Sequence, residues 1–383
     1  MENQVAIVGV GLTPLRPVSP DLSFREMIFE AATRAYADAG VTPREIDTFV
    51  TVAEDFHEGT SITDEYTPDQ LGAVRRPVHT VAGDGLQGLA AAYMLVRSGA
   101  ADVAVVEAHS KASNIVHHEE ILALALDPTY ERPWRVNPHA VAALEMRRYL
   151  HEANASPEVS AQVVVKNRGN ALRNPFAAYG ASLSPEEVLR DAPVAEPLRG
   201  LEVSGYADGA VVLVLASMER GRSLAGRPVL IRGIGWASDE PSLSGRPWAQ
   251  AVYAHLACEM AYRLAAIHAP ANEIDFFEVD DTYAYKELQH LEAALRLEVG
   301  EGARLTVSGR TARDGELPVN PSGGSLGMGY GYDASALVRT AMAALQLRGE
   351  AGAMQVTGAR SAAVVSWRGV PTTSGGAVVL SAQ

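Results

Sequence analysis

The chain has 383 residues, 47% of them apolar and 20% charged, and a net charge of −14. Its length calls for two or three units of roughly 150 residues, no apolar run approaches the ~20 residues needed to span a bilayer, and the acidic surface opposes nonspecific nucleic-acid binding. One cysteine, Cys258, excludes an internal disulfide framework and a cysteine-based zinc finger, and the opening MENQVAIVGVG lacks a basic-then-apolar leader, so a cytoplasmic protein with no membrane or nucleic-acid role is expected.

Val5-Ala6-Ile7-Val8-Gly9-Val10-Gly11 reads as a buried strand. It is only briefly like a dinucleotide fingerprint: Leu12-Thr13-Pro14 supplies no third glycine, and the proline interrupts the expected helix. Ser23 and Glu26 make a capping box before Met27, Ile28, Ala31 and Ala35, which fall on one helical face, and Gly40 is placed to end that helix. Thr48 to Val52 suits a strand. Gly85 to Ser98 suits a helix with Leu86, Leu89, Ala90, Tyr93 and Met94 on one side, and Val103 to Val106 a buried strand. This alternation predicts a layered α/β fold.

The stretch from about 110 to 200 is less regular, with helical patterns at Val141 to Leu150 and Ser160 to Leu172, and reads as an inserted lid or specificity loop. Val211 to Leu215 resumes the strands. A second α/β half begins at Pro228 to Ile234 and continues through a helix at Ala249 to Ile267, a strand at Phe276 to Val279, a helix at Ala334 to Leu347, and strands near Ala362 to Ser366 and Ala377 to Leu380. The expected division is 1–225, including the insertion, and 226–383.

Several motifs, in order, carry a resemblance. They are Val5 to Gly11, Thr80-Val81-Ala82-Gly83-Asp84-Gly85-Leu86-Gln87, Lys166-Asn167-Arg168-Gly169-Asn170-Ala171 with Asn174-Pro175-Phe176, Asp208-Gly209-Ala210, Asn320-Pro321-Ser322-Gly323-Gly324, and Gln346-Leu347-Arg348-Gly349-Glu350. Together they resemble the thiolase superfamily over nearly the full length, especially the sterol-carrier-protein branch and its thiolase-like aldolases. The resemblance implies two repeated α/β halves in five layers with an inserted loop domain, and a homodimer. It also exposes three departures. Ala82 stands where thiolases carry the acylated cysteine. Asp280, in Glu278-Val279-Asp280-Asp281-Thr282-Tyr283-Ala284-Tyr285, stands at a histidine position. Tyr330, in Gly329-Tyr330-Gly331, stands where thiolases have Gly-His-Pro.

A methyl group cannot attack a thioester. Retro-aldol cleavage of a 3-hydroxyacyl-CoA needs no acyl-enzyme, only a base for the hydroxyl proton and donors for the thioester enolate. The resemblance therefore implies an acyl-CoA aldolase. Relatives of this kind release a 17-ketosteroid and propionyl-CoA from a 17-hydroxy side-chain thioester, and they work with an OB-fold, zinc-ribbon partner in a heterotetramer. CoA would then be part of the substrate, with no covalently bound cofactor and no metal. A non-catalytic acyl-CoA-binding subunit is the alternative reading, and an atypical acyltransferase is a third.

Tyr330 is the first candidate for proton transfer. Tyr283 and Tyr285 follow, both on one face if the strand from Phe276 continues, with Asp280 or Asp281 orienting a tyrosine or accepting a proton. Gly83, Gly85, Gly329, Gly375 and Gly376 are candidates for close backbone approach to the substrate, with the helix after Gly85 offering its N-terminal amides. Lys166 and Arg168, and beyond them Arg310 and Arg313, are candidates for the CoA phosphates. Cys258 lies in a helical pattern and reads as buried and inert. His117-His118-Glu119-Glu120 lacks ligand spacing and reads as a polar loop or exposed helix. His57 with Glu54, Asp55 and Glu58 reads as a solvated acidic loop.

Overall fold

The computed structural model describes residues 4–54, 63–224 and 226–383; His57, Asp55 and Glu58 lie outside the described residues. The strands are β1 (Val5–Leu12), β2 (Thr48–Val52), β3 (Val78–Val81), β4 (Val103–Ser110), β5 (Pro193–Ala195), β6 (Leu198–Arg199), β7 (Gly209–Ser217), β8 (Val229–Ser238), β9 (Phe276–Val279), β10 (Ser361–Val365) and β11 (Ser374–Ala382). The helices that build the layers and the site are α1 (Phe24–Ala39), α2 (Gly85–Arg97), α3 (His118–Ala123), α4 (Pro138–Ala153), α5 (Glu158–Ala171), α6 (Val252–Ala265), α7 (Ala284–Leu295), α8 (Gly324–Met328) and α9 (Ser335–Arg348).

The strand order is β3-β2-β4-β7-β1 and then β8-β11-β10-β9. The two runs meet through a short antiparallel pairing of Ala6 with Leu230 and Ile7 with Val229. The sheet is mixed: β2 runs parallel to β3 and β4, and β9 parallel to β10, while β7 and β11 pair antiparallel with their neighbours. Strands buried on both faces read as continuous apolar runs. Alternate residues of β10 show this, Ala362 and Val364 facing one core and Ala363 and Val365 another.

Three cores define the layers. Met27, Ile28 and Ala31 of α1 pack on Ala6, Val8, Val105 and Val212, covering the outer face of the first run. Leu86 and Leu89 of α2, with Leu337 and Met342 of α9, fill the space between the runs against Val50, Leu213, Phe276 and Val364. Ala257 and Cys258 of α6, with Leu288 of α7, cover the outer face of the second run at Phe277, Val365 and Val379. Helix, sheet, helix, sheet and helix follow one another, a thiolase-like α/β arrangement.

The capping box at Ser23 and Glu26 forms, and Gly40 ends α1 with φ 68°. Gly9 and Gly11 have a packing purpose. A Cβ on Gly11 would lie 2.1 Å from the Ala31 carbonyl oxygen and one on Gly9 2.4 Å from that of Ala35, so these glycines seat α1 directly on β1. Two sequence expectations change. Met94 of α2 is 48% exposed rather than on the packed face. The strand after Phe276 ends at Val279, and Tyr285 lies in the first turn of α7, so Tyr283 and Tyr285 do not share a strand face.

Gly85 lets α2 approach α9 closely: a Cβ there would lie 2.6 Å from the backbone nitrogen of Leu337. Gly85→Ala should therefore lower stability by about 1–3 kcal/mol, the usual cost of overpacking, read as a lower urea midpoint with an unchanged slope. An unchanged midpoint would contradict the close contact.

Candidate active site

The turn after β9 is set by two buried carboxylates. Asp280 pairs with Arg339 of α9 at 2.6 Å and accepts the Thr282 amide at 3.0 Å. Asp281 accepts the Ser325 and Leu326 amides at 2.5 and 3.2 Å, at the start of α8, and the Asn167 side chain at 2.7 Å. The chain cannot continue as a strand while both carboxylates are satisfied this way, and it delivers Tyr283 in extended geometry just before α7. On the other side, α8 ends at Gly329 with φ 115°, a conformation glycine tolerates. That turn delivers Tyr330.

The segment 203–207 ties these turns together. Val203 bridges Tyr283 and Tyr206 bridges Tyr330. The Ser204 amide donates to the Thr282 carbonyl at 2.9 Å, and the Tyr330 amide to the Gly205 carbonyl at 2.8 Å. Tyr283 and Tyr330 therefore line one cleft with Leu122, His139, Ser204, Tyr206, Thr282 and Val370. The cleft holds only about 10 Å³, roughly one water.

Among the described residues, the Tyr330 hydroxyl has no hydrogen-bond partner, although the residue is 5% exposed. It lies over Gly369, where a Cβ would come within 2.8 Å of the hydroxyl oxygen. Thr282 Oγ1 is also buried without a partner. The Tyr283 hydroxyl is 2.9 Å from Nδ1 of His139. His118 stacks on Tyr206, centroids 3.6 Å apart, with its Nδ1 2.5 Å from the Tyr332 hydroxyl. Burial, reinforced by Asp280 and Tyr206, pushes the Tyr330 phenol well above its ordinary value. Burial does the same to Tyr283, with Tyr206, Glu145, Asp280 and Glu119 adding to it. Both are neutral donors at pH 7.

Residues 235–382 match the family model described as thiolase C-terminal domain-like. The chain is 31% identical over 363 residues to an acetyl-CoA acetyltransferase of Methanothermobacter thermautotrophicus, covering 93% of this chain and 94% of the relative. The chain belongs to the thiolase superfamily. It is also 28% identical over 393 residues to the 17-hydroxy-3-oxo-4-pregnene-20-carboxyl-CoA lyase of Mycobacterium tuberculosis, covering 97% and 98% of the two chains. Among solved structures, the Ltp2-ChsH2(DUF35) aldolase superposes with a TM-score of 0.86 at 25% identity, covering 99% of this chain and 98% of that one.

In this thiolase-superfamily chain the other sequence candidates are placed as follows. Tyr285 donates to Glu145 at 2.7 Å, beside Lys286 at 2.9 Å from the same carboxylate, and does not line the cleft. Asp280 and Asp281 do not line it either: Asp280 is engaged by Arg339 and Asp281 by the α8 amides, which fits the orienting rather than the proton-accepting one of the two roles expected for them. Lys166 is not free for a phosphate: it pairs with buried Glu287 at 3.0 Å and donates to the Val319 carbonyl at 2.8 Å. Arg168 is half-buried on α5, and burial lowers its pKa against the opposing pull of Tyr179 and Asp191. Arg310 pairs with Glu316 and Arg313 with Asp314 at the surface.

The glycine candidates also divide. Gly329 shapes the Tyr330 turn. Gly83 and Gly85 flank Asp84, whose carboxylate already takes the Leu86 amide at 2.7 Å as the helix cap. Gly375 and Gly376 lie within β11, where the Gly376 amide donates to Ser366 Oγ at 2.9 Å, so it is not offered to a substrate. Cys258 is buried in α6, its thiol pushed up to about 12 mainly by burial. The His117–Glu120 stretch opens a helix with Glu119 and Glu120 exposed, as read from the sequence, but α3 also stacks His118 on Tyr206 and brings Glu119 within 3.8 Å of His139, which the sequence did not signal. His139, Tyr206 and Gly369 were not legible as site residues. His139 sits in the first turn of a helix opened by Asn137-Pro138, with no motif around it.

Glu278, beneath the site, accepts from the Ser322 hydroxyl at 2.7 Å, and burial raises its pKa to about 7 despite that bond. A carboxyl raised on folding favours the fold below its unfolded value near ~4.3 and loses that contribution as pH climbs to about 7. Glu278→Gln, which stays neutral, should gain stability relative to the wild-type protein as pH rises across that window, measured by urea unfolding at fixed ionic strength. A constant difference between the two proteins from pH 4.5 to 7.5 would contradict the raised carboxyl.

Proposed function

We propose that the chain is an acyl-CoA aldolase, a carbon–carbon lyase that performs retro-aldol cleavage of a 3-hydroxyacyl-CoA. Its substrate is a steroid 17-hydroxy side-chain CoA thioester, and its products are a 17-ketosteroid and propionyl-CoA. One observation carries the reading: two buried neutral phenols, Tyr283 and Tyr330, face one cleft, and the hydroxyl of Tyr330 is unpaired among the described residues. The cleft lining holds no cysteine, and the position of the thiolase nucleophile is Ala82.

In the reaction the substrate hydroxyl loses its proton, the C–C electrons pass to the α-carbon, and a thioester enolate forms beside a ketone. Tyr330 donates a hydrogen bond to the enolate and then its proton to the α-carbon. Tyr283 addresses the substrate hydroxyl. Thr282 Oγ1, buried and unpaired, is a further donor for the thioester oxygen.

The acyl group has an apolar route. Leu122 and Val370 line both the tyrosine cleft and a neighbouring pocket, and Leu124 and Ala125 line both that pocket and an open groove of about 790 Å³ with Tyr130, Trp134 and Leu243. Such a trough suits a rigid carbocycle. Arg168 remains the candidate for a CoA phosphate. A homodimer, and a heterotetramer with an OB-fold, zinc-ribbon protein, belong to the same proposal; the solved aldolase that pairs Ltp2 with ChsH2(DUF35) supports a partner chain. The near-closure of the cleft favours one alternative, a non-catalytic acyl-CoA-binding subunit.

Tyr330→Phe should lower kcat by about 100- to 10,000-fold, the range of a positioned acid, with an unchanged circular-dichroism spectrum, while Cys258→Ala keeps wild-type turnover. Near-normal turnover in Tyr330→Phe, with product release shown not to limit the rate, rejects the assignment. In the groove, Trp134→Ala should raise KM for a steroid thioester by about tenfold, equivalent to ~1.4 kcal/mol of lost apolar contact, and leave KM for a short-chain thioester unchanged. Equal effects on both substrates would remove the groove from the acyl path.

A further inference from the structure

Tyr283 is backed by a line of groups that the aldolase reading leaves unused. Its hydroxyl meets Nδ1 of His139 at 2.9 Å, the rings edge to face with centroids 5.8 Å apart. On the far side of the imidazole, Nε2 lies 3.8 Å from Glu119 Oε1. Exposure grows along the line, from 1% for Tyr283 to 10% for the His139 side chain and 50% for that of Glu119. The three groups come from three elements: the turn before α7, the first turn of α4, and α3.

This arrangement answers a chemical difficulty. A phenol whose anion is disfavoured by burial cannot wait as a phenolate for the substrate proton. It can accept that proton on oxygen while passing its own to a neighbouring nitrogen. Here the nitrogen is in place. In the tautomer with hydrogen on Nε2, which the negative charge of Glu119 3.8 Å away favours electrostatically without a direct hydrogen bond, Nδ1 accepts from the Tyr283 hydroxyl.

We propose that Tyr283, His139 and Glu119 form a proton relay in which His139 is the resting base and acts through Tyr283. The inference rests on the aldolase reading. As the C–C bond breaks, the substrate hydroxyl proton moves to the Tyr283 oxygen, and the Tyr283 proton moves to His139 Nδ1. The bonding pair becomes the enolate, so one neutral substrate yields a neutral ketone and an anion while His139 becomes a cation. Glu119 stabilises that cation and opens a route for its proton to solvent. Tyr330 then gives its proton to the enolate carbon and is reprotonated from solvent.

The groups facing the relay are Glu119 and His118 from α3, Tyr206 from the 203–207 segment and Tyr330 from the turn after α8; Glu145 on α4 and Asp280 act on Tyr283. His139 titrates below an ordinary histidine because burial outweighs the attraction of Glu119, so it is neutral and able to accept a proton at pH 7. Protonation at low pH fills Nδ1 and blocks the relay.

Two measurements test it. The first needs no substrate: the His139 ring proton is followed by NMR against pH in the wild-type protein and in Glu119→Gln. Removing the carboxylate should lower the midpoint. The second is kcat/KM against pH for cleavage of a steroid 3-hydroxyacyl-CoA. The wild-type rate should fall on the acid side at the His139 midpoint, and Glu119→Gln should move that limb to lower pH by the same amount. His139→Asn keeps an acceptor for the Tyr283 hydroxyl but cannot take its proton. It should lose about 100-fold or more together with the acid limb, at an unchanged thermal midpoint. Cleavage by the wild-type protein with the limb retained in His139→Asn, or an unmoved titration in Glu119→Gln, overturns the relay alone. Absence of any 3-hydroxyacyl-CoA cleavage by the wild-type protein overturns the aldolase reading and the relay with it.

Discussion

Asp281 holds the site together. It sits in the turn that ends in Tyr283, and its carboxylate takes the amides that start α8, the helix whose exit through Gly329 places Tyr330. One side chain thus links the two tyrosine-bearing turns. Neighbouring charges make the arrangement demanding: burial, then Glu287 and Asp280, raise its pKa to about 7. Arg339 neutralises Asp280 and Lys166 neutralises Glu287, so both cations are committed to this frame. Removing one member of a buried ion pair commonly costs about 3–5 kcal/mol because the other charge is stranded. The acidic cluster is therefore conditional on the whole network, and the tyrosine spacing depends on the cluster.

On the proposed aldolase reading, the thiolase-superfamily scaffold offers an enolate buried phenol donors, with Ala82 at the position of the thiolase nucleophile. Burial that would cripple a phenol as a stored base improves it as a donor, because the hydroxyl keeps its proton at pH 7 and its hydrogen bonds strengthen in a low-dielectric site. The same burial keeps His139 neutral, ready to receive rather than give. Environment alone thus leaves a phenol protonated and an imidazole unprotonated side by side, the pairing that the proposed relay uses. Deeper in the core, His290 is held down to about 3 by burial and Lys286 and bonds the Asp280 carbonyl and Tyr253, away from the cleft, which makes it part of the frame.

The fold was legible because its signals are local. The capping box at Ser23, the apolar run that opens at Val5 and the glycine at residue 40 act within a few residues of themselves. Tyr330 was visible as a replacement inside an otherwise intact motif, and Tyr283 as an aromatic in the segment that carries Asp280. What stayed hidden depends on distant contacts. Tyr283 and Tyr285 belong to different environments because buried carboxylates turn the chain between strand and helix, and no period in the sequence encodes Arg339 or the α8 amides. Lys166 looked available for a phosphate until Glu287, 121 residues away, claimed it. His118 and His139 carry no spacing signal, since each meets its tyrosine across more than a hundred residues of chain.

Product identity tests the account most directly. The purified chain, alone and with an OB-fold, zinc-ribbon partner, is given a steroid 17-hydroxy side-chain CoA thioester without free CoA, and products and intact protein are followed by mass spectrometry. Retro-aldol cleavage gives a ketosteroid and propionyl-CoA in equal amounts, with the protein mass unchanged throughout turnover. An acyl adduct on the protein, or turnover only of a 3-ketoacyl-CoA that consumes free CoA, would contradict it.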